Sequence, residues 1–147
     1  MAFNILIVDD SETMRAVIKK TVNMCGIELG TLQEAGNGFE ALEIMAEYWV
    51  DVVLSDINMP EMGGIELLRT MQGDEVLTKI PLIFISTESS QSRQDEAARL
   101  GAAGYIKKPF LPEQIRDILL EVLNKAYAGR MAAEGSASPV DDEDVDF

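Results

Sequence analysis

The stretch VVLSDINMPEMGG, residues 52–64, decides the fold of this chain. Its apolar run, Val52–Leu54, leads through one serine into an acid, Asp56, at the point where a buried strand would stop. A second run near the start, ILIVDD at residues 5–10, ends in Asp9 and Asp10. Aspartate is a common turn residue, so each acid alone carries little information. What matters is whether the ends of the two runs meet in space.

Five short apolar or β-rich runs alternate along the chain with five longer segments of helical periodicity. This alternation predicts an α/β fold: a doubly wound, five-stranded parallel sheet with helices on both faces. The predicted strands are Ile5–Val8, Thr31–Ala35, Val52–Ser55, Leu82–Ser86 and Gly104–Ile106. The predicted helices are the segment from Met14 to Cys25, capped by Ser11, and residues 38–47, 64–72, 92–100 and 112–126.

The length of 147 residues suits one domain with a real core, which we assign to residues 1–126. After about residue 126 the helical pattern stops. Residues 127–147 mix small residues with a terminal acid cluster, PVDDEDVDF at 139–147, and predict a disordered acidic tail.

Charge and composition exclude several classes of function. Twelve basic and 26 acidic residues give a formal net charge of −14, so we expect no nucleic acid partner. No run approaches the length of a membrane span and no signal-peptide pattern is present, so we expect a cytoplasmic protein with no membrane partner. The chain has no histidine, which excludes Ser-His or Cys-His nucleophiles and His-ligated zinc.

Polar side chains follow four of the five predicted strands. If the strand order is 2-1-3-4-5, these residues converge at one edge of the sheet. They are Asp9, Asp10, Asp56, Ser86 with Thr87 beside it, and Lys108. Carboxylates gathered this closely repel one another, and an oxygen-only set of ligands favours Mg²⁺. A site with Mg²⁺, a lysine, a hydroxyl and a spare carboxylate suits a phosphoryl group.

Four motifs carry a resemblance to a known family. They are ILIVDDS at 5–11, VVLSDINMP at 52–60, IFIST at 83–87 and GYIKKPF at 104–110. In this order and spacing they resemble the receiver domain of two-component response regulators, of the stand-alone CheY-like chemotaxis type. The resemblance covers about residues 4–126 and implies a flavodoxin-like sheet of order 2-1-3-4-5.

The resemblance implies a phosphorylation-activated signalling switch rather than an enzyme, although phosphotransfer and dephosphorylation would be self-catalysed. Asp56 would accept a phosphoryl group from a phosphohistidine on a sensor histidine kinase. Asp10, Asp56 and the backbone carbonyl of Asn58 would bind Mg²⁺, with Asp9 acting through water.

Further roles follow from the same resemblance. Ser86 and Lys108 would contact the phosphoryl group, and Tyr105 would turn inward as a switch residue. The peptide bond before Pro109 would be cis. Asn58 and Glu88 would tune the rate of phosphate loss, and their identities resemble those of regulators that lose phosphate quickly.

The family's usual output surface is formed by the fourth helix, the fifth strand and the fifth helix. In this chain it would include Tyr105, Gln94, Ala98, Lys107 and Ile118. The expected partners are the kinase, an output protein such as a component of the flagellar switch, and a phosphatase. The acidic tail resembles peptides that dock on this surface and would compete with the output partner.

Two other classes of function stay open. A phosphatase of the haloacid dehalogenase type also combines an aspartate nucleophile, a hydroxyl, a lysine and Mg²⁺. Its nucleophile ends the first strand in an Asp-x-Asp motif, whereas here that strand ends in Asp9-Asp10, and no segment here predicts a cap domain. The other class is a receiver fold that binds partners without taking phosphate.

Overall fold

The computed structural model of the chain describes residues 2–88 and 90–128. In chain order the strands are β1 (Phe3–Val8), β2 (Leu29–Ala35), β3 (Val52–Ser55), β4 (Leu82–Ser86) and β5 (Gly104–Lys107). The helices are α1 (Glu12–Asn23), α2 (Gly38–Glu47), α3 (Gly64–Gln72), α4 (Gln91–Arg99) and α5 (Pro112–Ala126), with a 3₁₀ turn at Leu77–Lys79.

The five strands form one parallel sheet in the order β2-β1-β3-β4-β5, which confirms the predicted fold class and strand order. Apolar side chains fill both faces of this sheet. In β1, Leu6 and Val8 belong to the core beneath α2, α3 and α4, whereas Ile5 and Ile7 belong to the core beneath α1 and α5. Successive side chains of a strand point to opposite faces, so two separate cores require an uninterrupted apolar run.

Local signals set where the helices begin. The Ser11 hydroxyl accepts a hydrogen bond from the backbone N–H of Met14 at 3.1 Å and caps α1 as predicted. Helix α3 has no side-chain cap; it begins at Gly64, whose N–H donates to the carbonyl of Ile57 at 2.8 Å. A side chain at position 64 would collide with the Asp56 carbonyl oxygen, so glycine lets the helix start lie directly against the end of β3.

The strand register brings the polar strand ends together. Val8 of β1 pairs with Ser55 of β3, so the residues that follow them, Asp9 and Asp56, are neighbours. The Asp56 N–H donates to the Val8 carbonyl at 2.8 Å, which continues the ladder one residue further. The Lys108–Pro109 peptide bond is cis, as expected.

The packed part of the chain includes Tyr127, the first residue assigned to the tail. Its hydroxyl donates to the backbone carbonyl of the buried Asp51 at 2.8 Å, and its ring lies 6.0 Å from that of Phe3. Residues 129–147 lie outside the described residues, so the predicted disorder of the tail and its docking stay predictions. Within the part of the chain that the structure describes, no helix is long and apolar enough to cross a membrane.

Candidate functional site: a carboxylate–lysine centre

Three carboxylates meet at the carboxyl edge of the sheet. Asp9, Asp10 and Asp56 each offer an oxygen within 4.8 Å of the others. Asp9 is buried, Asp56 is partly buried and Asp10 is exposed, so the cluster opens to solvent on one side. This confirms that the acids after β1 and β3 are aimed at one another.

Lys108 lies between two of these carboxylates. Its Nζ donates to Asp9 Oδ2 at 2.7 Å and to Asp56 Oδ2 at 3.2 Å, and its side chain is only 9% exposed. Burial alone would lower the pKa of this amine, but the hydrogen bond to Asp9 and the charges of Asp9 and Asp56 outweigh it and raise the pKa above 10.5. The lysine is therefore a fixed positive charge at neutral pH.

The second oxygen of each paired carboxylate is held by backbone. Asp9 Oδ1 accepts from the N–H of Ser11 at 2.9 Å, and Asp56 Oδ1 accepts from the N–H of Ile57 at 2.7 Å. Both side chains are thus oriented by one backbone donor and one ammonium group. The Asp56 side chain is 13% exposed, so it is oriented and still open to a reagent from solvent.

The donor set of the cluster fits a hard divalent cation. Carboxylate oxygens are the ligands that Mg²⁺ prefers, and it usually keeps several waters as well. Asp10 is exposed and its carboxylate makes no ion pair within the described residues, so it is available for such a cation. The predicted carbonyl ligand, Asn58, is an exposed residue of the β3–α3 loop, two positions after Asp56.

Ser86 and Thr87 differ sharply in their surroundings. Ser86 is fully buried at the end of β4, whereas Thr87 is exposed. The Ser86 hydroxyl accepts from the N–H of Glu88 at 3.1 Å, and the Ser86 carbonyl accepts from the N–H of Lys108 at 2.9 Å. Ser86 is therefore connected through backbone to the lysine of the centre.

The two residues expected to tune phosphate loss lie in different loops, Asn58 between β3 and α3 and Glu88 between β4 and α4. Hydrogen bonds from Ser90 and from the side chain of Asn58 lower the pKa of the Glu88 carboxyl, helped by the nearby charge of Arg93. Tyr105 donates its hydroxyl to the Glu88 carbonyl at 2.5 Å. Burial, and then the negative charges of Glu88 and Asp56, raise the pKa of this phenol. The tyrosine thus faces the loop that follows Ser86.

The predicted output residues do not have equal access to a partner. Ala98 of α4 and Lys107 of β5 are exposed, and Gln94 of α4 is half-buried. Ile118 of α5 is also half-buried and packs against the core, with its Cδ1 filling the space that a side chain at Gly104 would occupy. Ile118 therefore packs mainly against the core under the predicted output surface and offers little area to a partner.

The structure adds one residue that sequence analysis missed. The Arg15 guanidinium donates to the backbone carbonyl of Asp9 at 2.6 Å and to Glu34 of β2 at 3.0 Å. Its only signal in the sequence is its position in the helix that follows Asp9-Asp10. That spacing alone does not show which strand the side chain would reach.

The fold and the site together define a doubly wound α/β protein that gathers three carboxylates and a partly buried lysine at the switch point of its sheet. Residues 5–120 match the family described as "Response regulator receiver domain". The chain belongs to this family.

Several relatives are stand-alone proteins of similar length. The chain is 39% identical over 120 residues to the chemotaxis protein CheY1 of Helicobacter pylori, covering 81% of this chain and 95% of that protein. It is 36% identical over 131 residues to a chemotaxis protein CheY homolog of Campylobacter jejuni, covering 88% and 98%. The solved structure of chemotaxis protein CheY4 of Vibrio cholerae superimposes with a TM-score of 0.75 at 32% identity, covering 84% of this chain and 100% of that one.

Proposed function

We propose that this protein is a single-domain response regulator that accepts a phosphoryl group on Asp56 from a sensor histidine kinase and acts in chemotaxis or motility. The observation that carries the proposal is the placement of Lys108. An ammonium group on a partly buried lysine holds one oxygen of the acceptor carboxylate and one of its neighbour, within a cluster open to solvent. This arrangement supplies a nucleophile and a fixed positive charge beside it.

In the proposed reaction, an oxygen of Asp56 forms a bond to phosphorus while the bond between phosphorus and the donor imidazole nitrogen breaks. Lys108 would offset the charge on the phosphoryl oxygens. Asp10, Asp56 and the Asn58 carbonyl would hold Mg²⁺, with Asp9 acting through water. When bound, this ion supplies further charge neutralisation at those oxygens.

The switch would use the link between Ser86 and Tyr105. The Ser86 hydroxyl contacts the N–H of Glu88, and Tyr105 contacts the carbonyl of the same residue. A phosphoryl group that draws the Ser86 hydroxyl towards Asp56 would therefore move the loop that holds Tyr105. The exposed residues Ala98 of α4 and Lys107 of β5 would present that change to an output protein.

The output protein would be a component of the flagellar switch or another signalling partner, because relatives that match over most of this chain are named chemotaxis proteins. Loss of phosphate would take seconds to minutes, helped by a phosphatase. Asn58 and Glu88 support this lifetime, because they lie two residues after Asp56 and Ser86, where an amide and a carboxylate would border the path of a hydrolytic water. A phosphoprotein that persists for hours in Mg²⁺ without a phosphatase would contradict it.

The first experiment is intact mass spectrometry after incubation with acetyl phosphate and Mg²⁺. We expect one added phosphoryl group in the wild type and none in Asp56→Asn or without Mg²⁺. Asp95→Asn, which removes an exposed carboxylate of α4, is the matched control and should still be phosphorylated. Absence of an adduct on the wild type would favour a phosphate-independent binding module, and turnover of small phosphate esters would favour a phosphatase.

A further inference from the structure

The Arg15 side chain connects three elements at the edge of the acidic cluster. From α1, its Nη1 donates to the backbone carbonyl of Asp9 at 2.6 Å, and its Nε donates to Glu34 Oε1 of β2 at 3.0 Å. The side chain is 18% exposed, and Glu34 also pairs with Lys19 at 3.1 Å. The guanidinium is therefore held at a defined place and is not a free surface cation.

The Asp9 carbonyl belongs to the same planar peptide unit as the N–H of Asp10. A strong hydrogen bond on that carbonyl limits the rotation of the unit, and so limits the direction in which the Asp10 side chain leaves the backbone. The Asp9 carboxylate has its own partners, Ser11 and Lys108. The Asp10 carboxylate has no comparable ion pair among residues 2–88 and 90–128, so its placement depends on the backbone.

We propose that Arg15 is a positioning residue for the magnesium-binding carboxylates, and for Asp10 above all. This inference rests on the proposed function, because it assumes the metal site of that function. Mutation of a group that orients a metal ligand typically lowers metal affinity by roughly 10- to 100-fold. Arg15 would orient the ligand through the backbone, while Glu34 keeps the guanidinium in place.

Charge alone predicts the opposite effect. Arg15 is a positive group beside a cation site, so its removal should increase the attraction of the cluster for Mg²⁺. If Arg15 positions the ligands, its removal should instead weaken Mg²⁺ binding. The direction of the change therefore separates positioning from electrostatics.

The experiment compares Mg²⁺ dissociation constants of the unphosphorylated full-length chain, measured by titrating MgCl₂ and following the backbone amide resonances of residues 9–11. Arg15→Met removes both hydrogen bonds and should weaken binding about tenfold. Lys19→Met is the matched control, because it removes the same charge from the same glutamate without touching Asp9. It should bind Mg²⁺ as tightly as the wild type or slightly more tightly.

Arg15→Lys keeps the charge and has only one nitrogen, so it cannot bond to Asp9 and Glu34 in the same way, and it should also bind Mg²⁺ more weakly than the wild type. This variant decides the matter even where Arg15→Met fails to fold. The inference is overturned when Arg15→Met binds as tightly as Lys19→Met, or when Arg15→Lys binds as tightly as the wild type. A wild type that binds no Mg²⁺ would instead overturn the metal site of the proposed function.

Discussion

Replacement of Asp10 by asparagine should make the protein more stable without metal and remove its response to metal. Asp10 lies in a cluster of three carboxylates, and Lys108 contacts only the other two. Asparagine keeps the size and the polar character of the side chain and removes only the charge. In the absence of Mg²⁺ the wild type therefore carries a repulsion that the variant lacks.

The magnitude follows from the separation of the charges. At 4.8 Å, two unit charges repel by about 0.9 kcal/mol in a water-like dielectric and by about 3.5 kcal/mol at an effective dielectric of 20. Asp10 is exposed, so the lower figure applies to each of its two neighbours. Loss of a favourable interaction with the N-terminus of α1 offsets roughly 0.3–1 kcal/mol of this. We expect a net gain of about 1 kcal/mol in the free energy of unfolding.

The assay is urea unfolding in EDTA and again in Mg²⁺. Metal at a hundred times its dissociation constant should stabilise the wild type by about 2.7 kcal/mol and the variant much less, so the order of stability should reverse. Asp117→Asn removes an exposed acid from α5 and is the control for the change in net charge. If Asp10→Asn is no more stable than this control in EDTA, the carboxylates of the cluster do not repel one another as the geometry indicates.

Three further outcomes are expected. Gly64→Ala should lower the free energy of unfolding, measured by thermal unfolding, by roughly 1–3 kcal/mol, because the added methyl group meets the Asp56 carbonyl. Gly73→Ala is the control and should be close to neutral, because the nearest atom to its methyl group lies at 3.6 Å. Tyr105→Phe should cost about 1 kcal/mol through the lost hydrogen bond, and a stability equal to that of the wild type would mean that the bond does not persist in solution. The pKa of Lys108 is raised above 10.5 in the folded protein. The ion pairs of Lys108 therefore stabilise the fold fully below pH 10.5, and this stabilisation is lost as the pH rises through the raised pKa. The difference in stability between the wild type and Lys108→Met, followed by urea unfolding, should therefore be constant from about pH 7 to 9 and shrink above pH 10.5; a difference that grows there would contradict the ion pairs.

The sequence predicted both bounds of two central strands, β3 and β4, but the third central strand, β1, begins at Phe3, two residues before the predicted Ile5. The bounds of β3 and β4 agree with the predicted runs, because buried strands must be apolar on both faces. Strand β2 begins two residues before the predicted Thr31, at the half-buried Leu29. It is an edge strand, and its start is held by Asn4, whose side chain accepts from the N–H of Thr31 at 2.9 Å. A hydrogen bond to a polar residue of the neighbouring strand produces no apolar run, so the sequence pattern does not show where β2 begins.

The candidate site also has features that the sequence predicts and features that it does not predict. The placement of Asp9 and Asp56 at strand ends is visible in the sequence, and so is the cap of Ser11, because both depend on near neighbours along the chain. The bond between Lys108 and Asp9 joins residues 99 positions apart. It could be inferred only through the resemblance, since periodicity does not show which strand lies beside which.

The sequence by itself determined which segments become strands and helices, and which chemical groups stand at their ends, because burial on one or both faces imposes a period on the chain. The tertiary structure alone decided what those groups touch. Strand order and register set Val8 beside Ser55, and so placed two acids side by side beneath one lysine. The packing of α1 against β1 and β2 brought Arg15 within hydrogen-bond distance of the Asp9 carbonyl and of Glu34. Such contacts depend on the packing of whole elements, which no local pattern specifies.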